Sequence, residues 1–502
     1  MKNWNKIIAA SFLAISLTSC DRELDIAPQG PPTEATFWNT EYDLITGANA
    51  MYRLIYDSEF YGRGLFWYIN ASDDMITGRS KGEADNAKNF SSAYIGAGDL
   101  DKQWDMRYTI IFRANQIIKN IDRIQTSQEV KNKYLGEALF MSSRMYFELA
   151  SNYGSSKAGV PIVDPTAEAS LEAIPRAANV MENYNMIVRD LKRAVDLLPA
   201  QEALPATDYG RPHKVAAMAL LAKTYLFMED WKNAEYWAGK VMTDGKRALL
   251  PKYADVFKAE NNYGSEYIHS VPSTPGFGAW GSILPGVMLE NKGWGEYNGW
   301  GYFQPTKELY DEFEPGDERR EVTILKPGDK FMFNGKERSY SSTNSLSGYQ
   351  FNKYMDAFKY DLKAGHVSPD GDYPNTDLAV PIMRYAEVIL IKAEALLKQG
   401  KNADAEINMI RRRAGLSPKT NATMADLKHE RRCELAGEWA DRHRDLVRWG
   451  DAQAAYAKPL HGVDGKVVWP ARTFNPSVHN VWAVPQRVIT NSKGIIKQNE
   501  GW

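Results

Sequence analysis

Two distant stretches of this chain repeat one another without a gap. Lys223-Thr-Tyr-Leu-Phe-Met-Glu-Asp-Trp-Lys-Asn-Ala234 aligns with Lys392-Ala-Glu-Ala-Leu-Leu-Lys-Gln-Gly-Lys-Asn-Ala403, and the register continues through Ala238 with Ile407 and Val241 with Ile410. Both read as helix, tight turn, helix. A Trp or Gly at the turn, Lys-Asn-Ala at the start of the second helix and small residues where helices cross are what a tetratricopeptide-type hairpin uses. Such a hairpin cannot bury its own apolar face, so several must stack. About four helix pairs are expected, drawn from Trp104 to Tyr153, Tyr184 to Met242 and Pro381 to Trp439.

Other segments agree with a mostly α chain. Phe37 to Tyr56 and Trp104 to Ile124 carry apolar residues at three- and four-residue spacing, among them Tyr108, Ile111, Phe112, Ile118 and Ile121. Tyr134 to Tyr153 stops at Gly154, Tyr184 to Leu198 stops at Pro199, and Lys214 to Met228 starts after Pro212. By contrast, Pro251 to Pro381 is rich in Gly, Pro, Asn and Tyr, with short runs at Val322 to Leu325 and Lys330 to Phe333, so loops with small strands are expected there. Long irregular segments on a rigid scaffold are where binding function usually lives.

The first residues read as an address. Lys2 and Lys6 precede the apolar run Ile7 to Leu17, too short to span a bilayer, and Leu17-Thr18-Ser19-Cys20 resembles a bacterial lipobox. In that resemblance Cys20 becomes the lipidated first residue of the mature chain, anchored by several acyl chains. A polar tether follows, with Asp21, Glu23 and Pro28, Pro31 and Pro32. Cys433 is then alone, which excludes a disulfide framework and a Cys-rich zinc site. With 61 Lys and Arg against 63 Asp and Glu, the chain lacks the cationic field that nucleic acid binding needs.

Catalytic signatures are missing from the sequence. It contains no HExxH, GxSxG or Walker lysine loop, although a carboxylate pair for glycoside hydrolysis is set by folding and not by spacing. Gly276-Phe-Gly-Ala-Trp-Gly281 spells GxGxxG, but Pro272, Pro275 and Pro285 forbid the strand and helix that a dinucleotide site requires. The same segment reads better as an aromatic surface: Phe277, Trp280, Trp294, Tyr297, Trp300, Tyr302 and Phe303 stand among seven glycines with no helical or alternating period to take the rings into a core. Indole and phenol faces stack on the flat C–H faces of sugar rings. Phe66-Trp67-Tyr68, Asn70, Asp73, Asp74, Arg79 and Tyr94 form a second candidate loop. Asp370 and Asp372 with Asp377 could ligate calcium, but they lack EF-hand spacing and read as a solvated turn. The run from Arg431 to Trp449 packs acids against arginines and reads as an ion-pair network locking the last helices.

Several of these motifs occur together in one family. Arg384-Tyr-Ala-Glu-Val-Ile-Leu-Ile-Lys-Ala-Glu394, Ile407-Asn-Met-Ile-Arg-Arg-Arg-Ala-Gly415, Glu430 to Glu438, Asp445-Leu-Val-Arg-Trp-Gly450 and Val484-Pro485-Gln486 through Trp502 resemble the SusD/RagB family of Bacteroidota outer-membrane lipoproteins, as do the lipobox and Thr36 to Tyr52. The resemblance implies a mostly α, tetratricopeptide-like helical repeat scaffold with long loop-rich insertions and a few short strands. It implies a surface-exposed, lipid-anchored, non-enzymatic glycan-binding protein of the outer membrane. Such a protein takes an oligosaccharide or polysaccharide and passes it to a SusC-like TonB-dependent transporter, with no cofactor and no nucleic acid partner. In the starch-binding members the ligand is gripped by an aromatic arc with an arginine and an asparagine; the positional counterparts here, chosen by type and region, are Arg79, Tyr94, Trp280, Trp294, Tyr297 and Trp300. The expected organisation is a signal peptide at 1–19, a lipidated tether at 20–36, a helical region at 37–250, a glycan-facing loop-rich insertion at 251–380 and a second helical region at 381–502. A polysaccharide hydrolase or lyase, or a binder of peptides or other nutrients on the same fold, are the alternatives.

Overall fold

The structure is a computed structural model, which describes residues 37–502 except 56, 97, 167–169, 273–283, 285–287, 289–298, 334–335 and 356–375. Cys20 with its tether, Trp280, Trp294, Tyr297, Asp370 and Asp372 lie outside the described residues.

Helices form where the sequence supplies both an apolar stripe and a cap. α1 (Glu41–Tyr52) begins at Thr40, whose hydroxyl accepts from the Asp43 N–H while the Asp43 carboxylate accepts from the Thr40 N–H. α2 (Arg63–Ile69), β1 (Met75–Thr77) and α3 (Gly82–Lys88) lead into the long α4 (Gly98–Asn120). Ser127 caps α5 (Gln128–Tyr153), which ends at Gly154, and Asn179 caps α6 (Val180–Leu197). Next come α7 (Lys214–Phe227) and α8 (Trp231–Asp244). After the insertion the chain forms α9 (Tyr385–Lys398), α10 (Asp404–Arg413), α11 (Met424–Leu435) and α12 (Arg442–Trp449).

These helices stack in chain order. Each of α4 to α7 packs on its successor, α8 packs on α9, and α9 packs on α10 and α11. The two ends of the insertion are therefore neighbours. Ribbon pairing of β2 (Tyr267–Val271) with β8 (Val380–Arg384), Tyr267 opposite Arg384 and Val271 opposite Val380, stitches its neck. Within it, β3 (Phe303–Pro305) pairs with β1, β4 (Ile324–Leu325) with β7 (Gln350–Phe351), and β5 (Lys330–Phe333) with β6 (Lys336–Ser339). β9 (Leu460–His461) and β10 (Val467–Trp469) pair near the C-terminus.

Both hairpins of the internal repeat are formed, but their turns differ. In the first, Glu229 takes the left-handed conformation and Asp230 caps α8 by accepting from Asn233 N–H at 3.1 Å. In the second, the left-handed residue is Gly400 and the helix restarts only at Asp404, whose N–H donates to Asn402 at 2.9 Å. An aspartate where the second copy has Gln399 lets the first copy restart its helix sooner. The expected loop from Phe66 to Asp74 is also different: it is the helix α2 and its following turn, with Phe66 and Trp67 fully buried.

Candidate functional site

The β1/β3 ribbon builds the site. Met75, Ile76 and Thr77 are buried and face Pro305, Gln304 and Phe303 across the ladder, which Gly78 extends by donating to Tyr302 O at 2.8 Å. Gly78 has no room for a side chain: a Cβ there would lie 2.5 Å from Gly301 O and 2.3 Å from Gln304 Nε2. The close approach brings Arg79 and the run Trp300–Tyr302 to one end of the ribbon. Arg79 is exposed and its guanidinium lies 5.7 Å from the Tyr302 ring centre. Trp300 stands edge-on to Tyr302 at 6.2 Å, and both rings are half-buried.

Beneath this rim the floor is rigid. Phe303 is fully buried and stacks on Phe66 at 5.4 Å, and Phe66 packs on Trp439 at 4.8 Å. Gln304 Oε1 accepts from the N–H groups of Leu346 and Ser347 at 2.9 and 3.0 Å, so the 345–349 loop is tied to the ribbon with Leu346 exposed. Thr306 donates to Asp73 O and Asp74 O, which fixes the other end. The result is a firm shelf carrying two half-exposed aromatic rings and one exposed fork of N–H donors, chemistry suited to flat C–H faces flanked by hydroxyls.

Arg79 and Trp300 thus both lie against Tyr302, a member of the aromatic run that was not among the positional counterparts. Tyr94 departs from expectation. It is 4% exposed, its hydroxyl accepts from the Ala483 N–H at 2.7 Å, and its ring packs edge-on against Trp482 and Trp502. It is a core pin holding the C-terminal segment. The rest of the second candidate loop is likewise structural: Asn70 donates to Thr77 Oγ1, Asp73 pairs with Arg442 at 2.9 Å and Asp74 with Arg432 at 2.7 Å.

The acid and arginine run forms the network expected of it and extends further. Glu434 pairs with Arg384 at 2.6 Å, with Arg319 at 3.4 Å and with Arg413, while Glu266 bridges Arg384 and Arg413 and Glu438 bridges Arg384 and Lys353. Burial alone would raise the Glu434 carboxyl, but Arg413, Arg384 and Arg319 hold it well below the ordinary carboxylate range. Glu314, His429 and Glu430 come together closely enough to suggest a metal centre. Their carboxylates are already engaged, however: Glu314 by Arg411 at 2.6 Å and Glu430 by Arg319 at 2.9 Å and by Arg411. Two guanidinium charges beside the cluster oppose a cation there.

Among the described residues, no helix is long and apolar enough to cross a membrane. The profile of the SusD family matches residues 258–502, and a second profile, described as starch-binding associating with outer membrane, matches residues 73–226. A SusD-like protein of Bacteroides ovatus is 27% identical over 483 residues, covering 89% of this chain and 82% of that protein. Starch-binding protein SusD of Bacteroides thetaiotaomicron is 22% identical over 594 residues, covering 99% and 98%. Among solved structures, surface glycan-binding protein A of Bacteroides thetaiotaomicron, in complex with laminarihexaose, superposes with a TM-score of 0.75 at 19% identity, covering 92% of this chain and all of that one.

Proposed function

The chain belongs to the SusD/RagB family, and on that premise we propose that it is a non-catalytic lipoprotein of the outer membrane, anchored through Cys20, that captures an oligosaccharide or polysaccharide and hands it to a SusC-like TonB-dependent transporter. The observation that carries the binding part is the ribbon end where Arg79, Trp300 and Tyr302 converge on a rigid floor. A sugar ring laid on a phenol or indole buries apolar area, and a neighbouring guanidinium reads the direction of its hydroxyls. Trp280, Trp294 and Tyr297 belong to the same stretch of chain and are proposed as further stacking rings. The ligands named for the relatives, starch and laminarihexaose, support a glucan as the first class to try.

Each stacking contact is worth roughly 0.5 to 1.5 kcal/mol beyond area burial, so single sites bind weakly and several rings act together. Calorimetric titration with maltooligosaccharides and laminarioligosaccharides tests the reading on Trp280→Ala, Trp294→Ala, Trp300→Ala and Tyr302→Ala. Loss of affinity in folded variants is expected; unchanged binding in all four removes the site. Incubation with the same glycans should yield no new reducing ends, which separates a binder from a hydrolase or lyase. Loss of palmitate labelling in Cys20→Ala tests the anchor, and co-purification with a transporter tests the delivery step.

A further inference from the structure

A cavity of about 90 Å³ lies between α5, α7, the β2/β8 ribbon and α12; it includes none of Arg79, Trp300 and Tyr302 and meets the floor beneath them only at Trp439. Its volume is well above the roughly 10 to 15 Å³ that a single water needs. Its apolar lining includes Phe140, Phe147, Leu220 and Phe227. The lining also includes Arg144, Arg431, Arg444 and Trp439, which are 3, 3, 5 and 5% exposed. On these side chains Arg144 Nε and Nη2, Arg431 Nη1, Arg444 Nε and Trp439 Nε1 have no hydrogen-bond partner among the described residues, and Arg144 Nε has a carboxylate within ion-pair distance, Glu148 at 3.4 Å.

The other four buried donors, left unpaired, cost roughly 1 to 3 kcal/mol each. The acceptors around them are already engaged: Glu148 by Arg107, by Tyr61 and by Arg144 Nε at 3.4 Å, Asp445 by Arg431 and Arg448, Asp441 by the Arg444 N–H, and His269 Nε2 lies against Arg144 Nη1. Among the cavity-lining side chains, Asn152 Oδ1 is the unpartnered acceptor. Water accepts hydrogen bonds but also brings donors that need acceptors of their own, whereas a carboxylate brings acceptors alone. Charge points the same way. Arg144, Lys223, Arg431 and Arg444 line the cavity against Glu148, Asp441 and Asp445. The groups paired just behind them, Arg107 and Arg448 against Glu387 and Glu394, cancel. One positive charge remains in excess in a buried setting, where an uncompensated charge is costly.

We propose that this cavity is a binding site for one small organic monocarboxylate, its oxygens accepting from the four donors and its hydrocarbon end resting on the phenylalanine side chains. The site is independent of the glycan-binding rim. The test is calorimetric and thermal-shift titration of the purified mature protein in carboxylate-free buffer with propionate, its neutral isostere propionamide, and inorganic phosphate. Saturable binding and a Tm rise with propionate alone are expected. Trp439→Phe, which removes one donor and keeps an aromatic ring against Phe66, should weaken propionate roughly threefold to tenfold. Ala216→Leu, which fills the cavity, should abolish it, and if that variant fails to fold Trp439→Phe decides alone. Glycan affinity should be unchanged in folded Ala216→Leu, a position outside both the rim and its floor, so this site and the rim fail separately. The proposal is overturned by no saturable response to propionate, by an equal response to propionamide, by preference for phosphate, or by a crystal structure grown in propionate whose cavity holds water alone.

Discussion

Tyr253 and Tyr302 each lie beneath a guanidinium, at 5.1 Å from Arg413 in one case and 5.7 Å from Arg79 in the other. Tyr253 is 2% exposed, its hydroxyl donates to Glu434 O at 2.7 Å, and the cations over its ring, Arg384, Arg413 and Lys353, are matched by Glu266, Glu434 and Glu438. Around Tyr302 the ring is half-buried and the arginine reaches solvent. Residue types are shared; burial and counter-charge are not. A stacked arginine and tyrosine becomes a fastening when carboxylates saturate it and a recognition surface when solvent still reaches it.

Breaking the buried member of the pair should have the largest effect. Glu434→Gln keeps the shape but leaves Arg384, Arg413 and Arg319 short of a counter-charge. Removing one partner of a buried ion pair costs about 3 to 5 kcal/mol. Urea denaturation should register that loss, while glycan affinity of the folded fraction stays unchanged. A cost under about 1 kcal/mol, the range of exposed pairs, would erase the distinction between the two regions.

Acid sharpens the same contrast on the scaffold side. His213 stands at the N-cap position of α7 without a side-chain capping bond, is 4% exposed, and burial chiefly pushes its imidazole down to about 3; burial also holds His269 and His443 well below the ordinary value. In the unfolded chain each takes up a proton near pH 6.5, so between pH 6.5 and 3 the unfolded state binds more protons and stability falls as pH falls. The slope is about 1.4 kcal/mol per pH unit for one such histidine, or about 2 kcal/mol for His213 by pH 5. His213→Gln should flatten the stability profile between pH 6.5 and 5 by that amount. An unaltered slope would mean that His213 is not held neutral.

Why some of this was legible and some was not follows from the range of the forces involved. The repeat hairpins could be read because a helix stripe and a cap are local: Lys223 to Ala234 and Lys392 to Ala403 carry their own geometry. The Arg431 to Trp449 run could be read as a network because arginine crowded with acids has few other buried uses, although its reach to Asp73 and Asp74 could not. The loop from Phe66 to Tyr94 was misread because its partners are distant in sequence. Phe66 finds Phe303 and Trp439, and Tyr68 finds Tyr153 and Trp482. An aromatic run with distant partners looks the same in one dimension as one facing water. For the same reason the meeting of Arg79 with Tyr302, which depends on Thr77 facing Phe303, has no local signal.

Tyr94 tests that lesson directly. Tyr94→Phe keeps the ring against Trp482 and Trp502 but leaves the Ala483 N–H without its acceptor. A loss of about 1 to 3 kcal/mol in unfolding free energy is expected, with glycan titration unaltered. Weaker glycan binding at unchanged stability would return Tyr94 to the rim.

The smallest effect should come from the exposed arginine. Arg79→Ala removes a guanidinium that lies over Tyr302 and reaches water, so an interaction of about 0.5 to 1 kcal/mol is at stake and folding stability should move by less than about 0.5 kcal/mol. Glycan affinity should fall roughly twofold to fivefold. Arg79→Lys retains the charge but loses the planar fork, so it separates the two contributions: recovery with lysine assigns the effect to charge over the ring, and no recovery assigns it to paired hydrogen bonds with sugar hydroxyls. Should Arg79→Ala instead destabilise the fold by several kcal/mol with no effect on binding, the residue would belong with Arg384 and Arg413, and the ribbon end would be one more fastening.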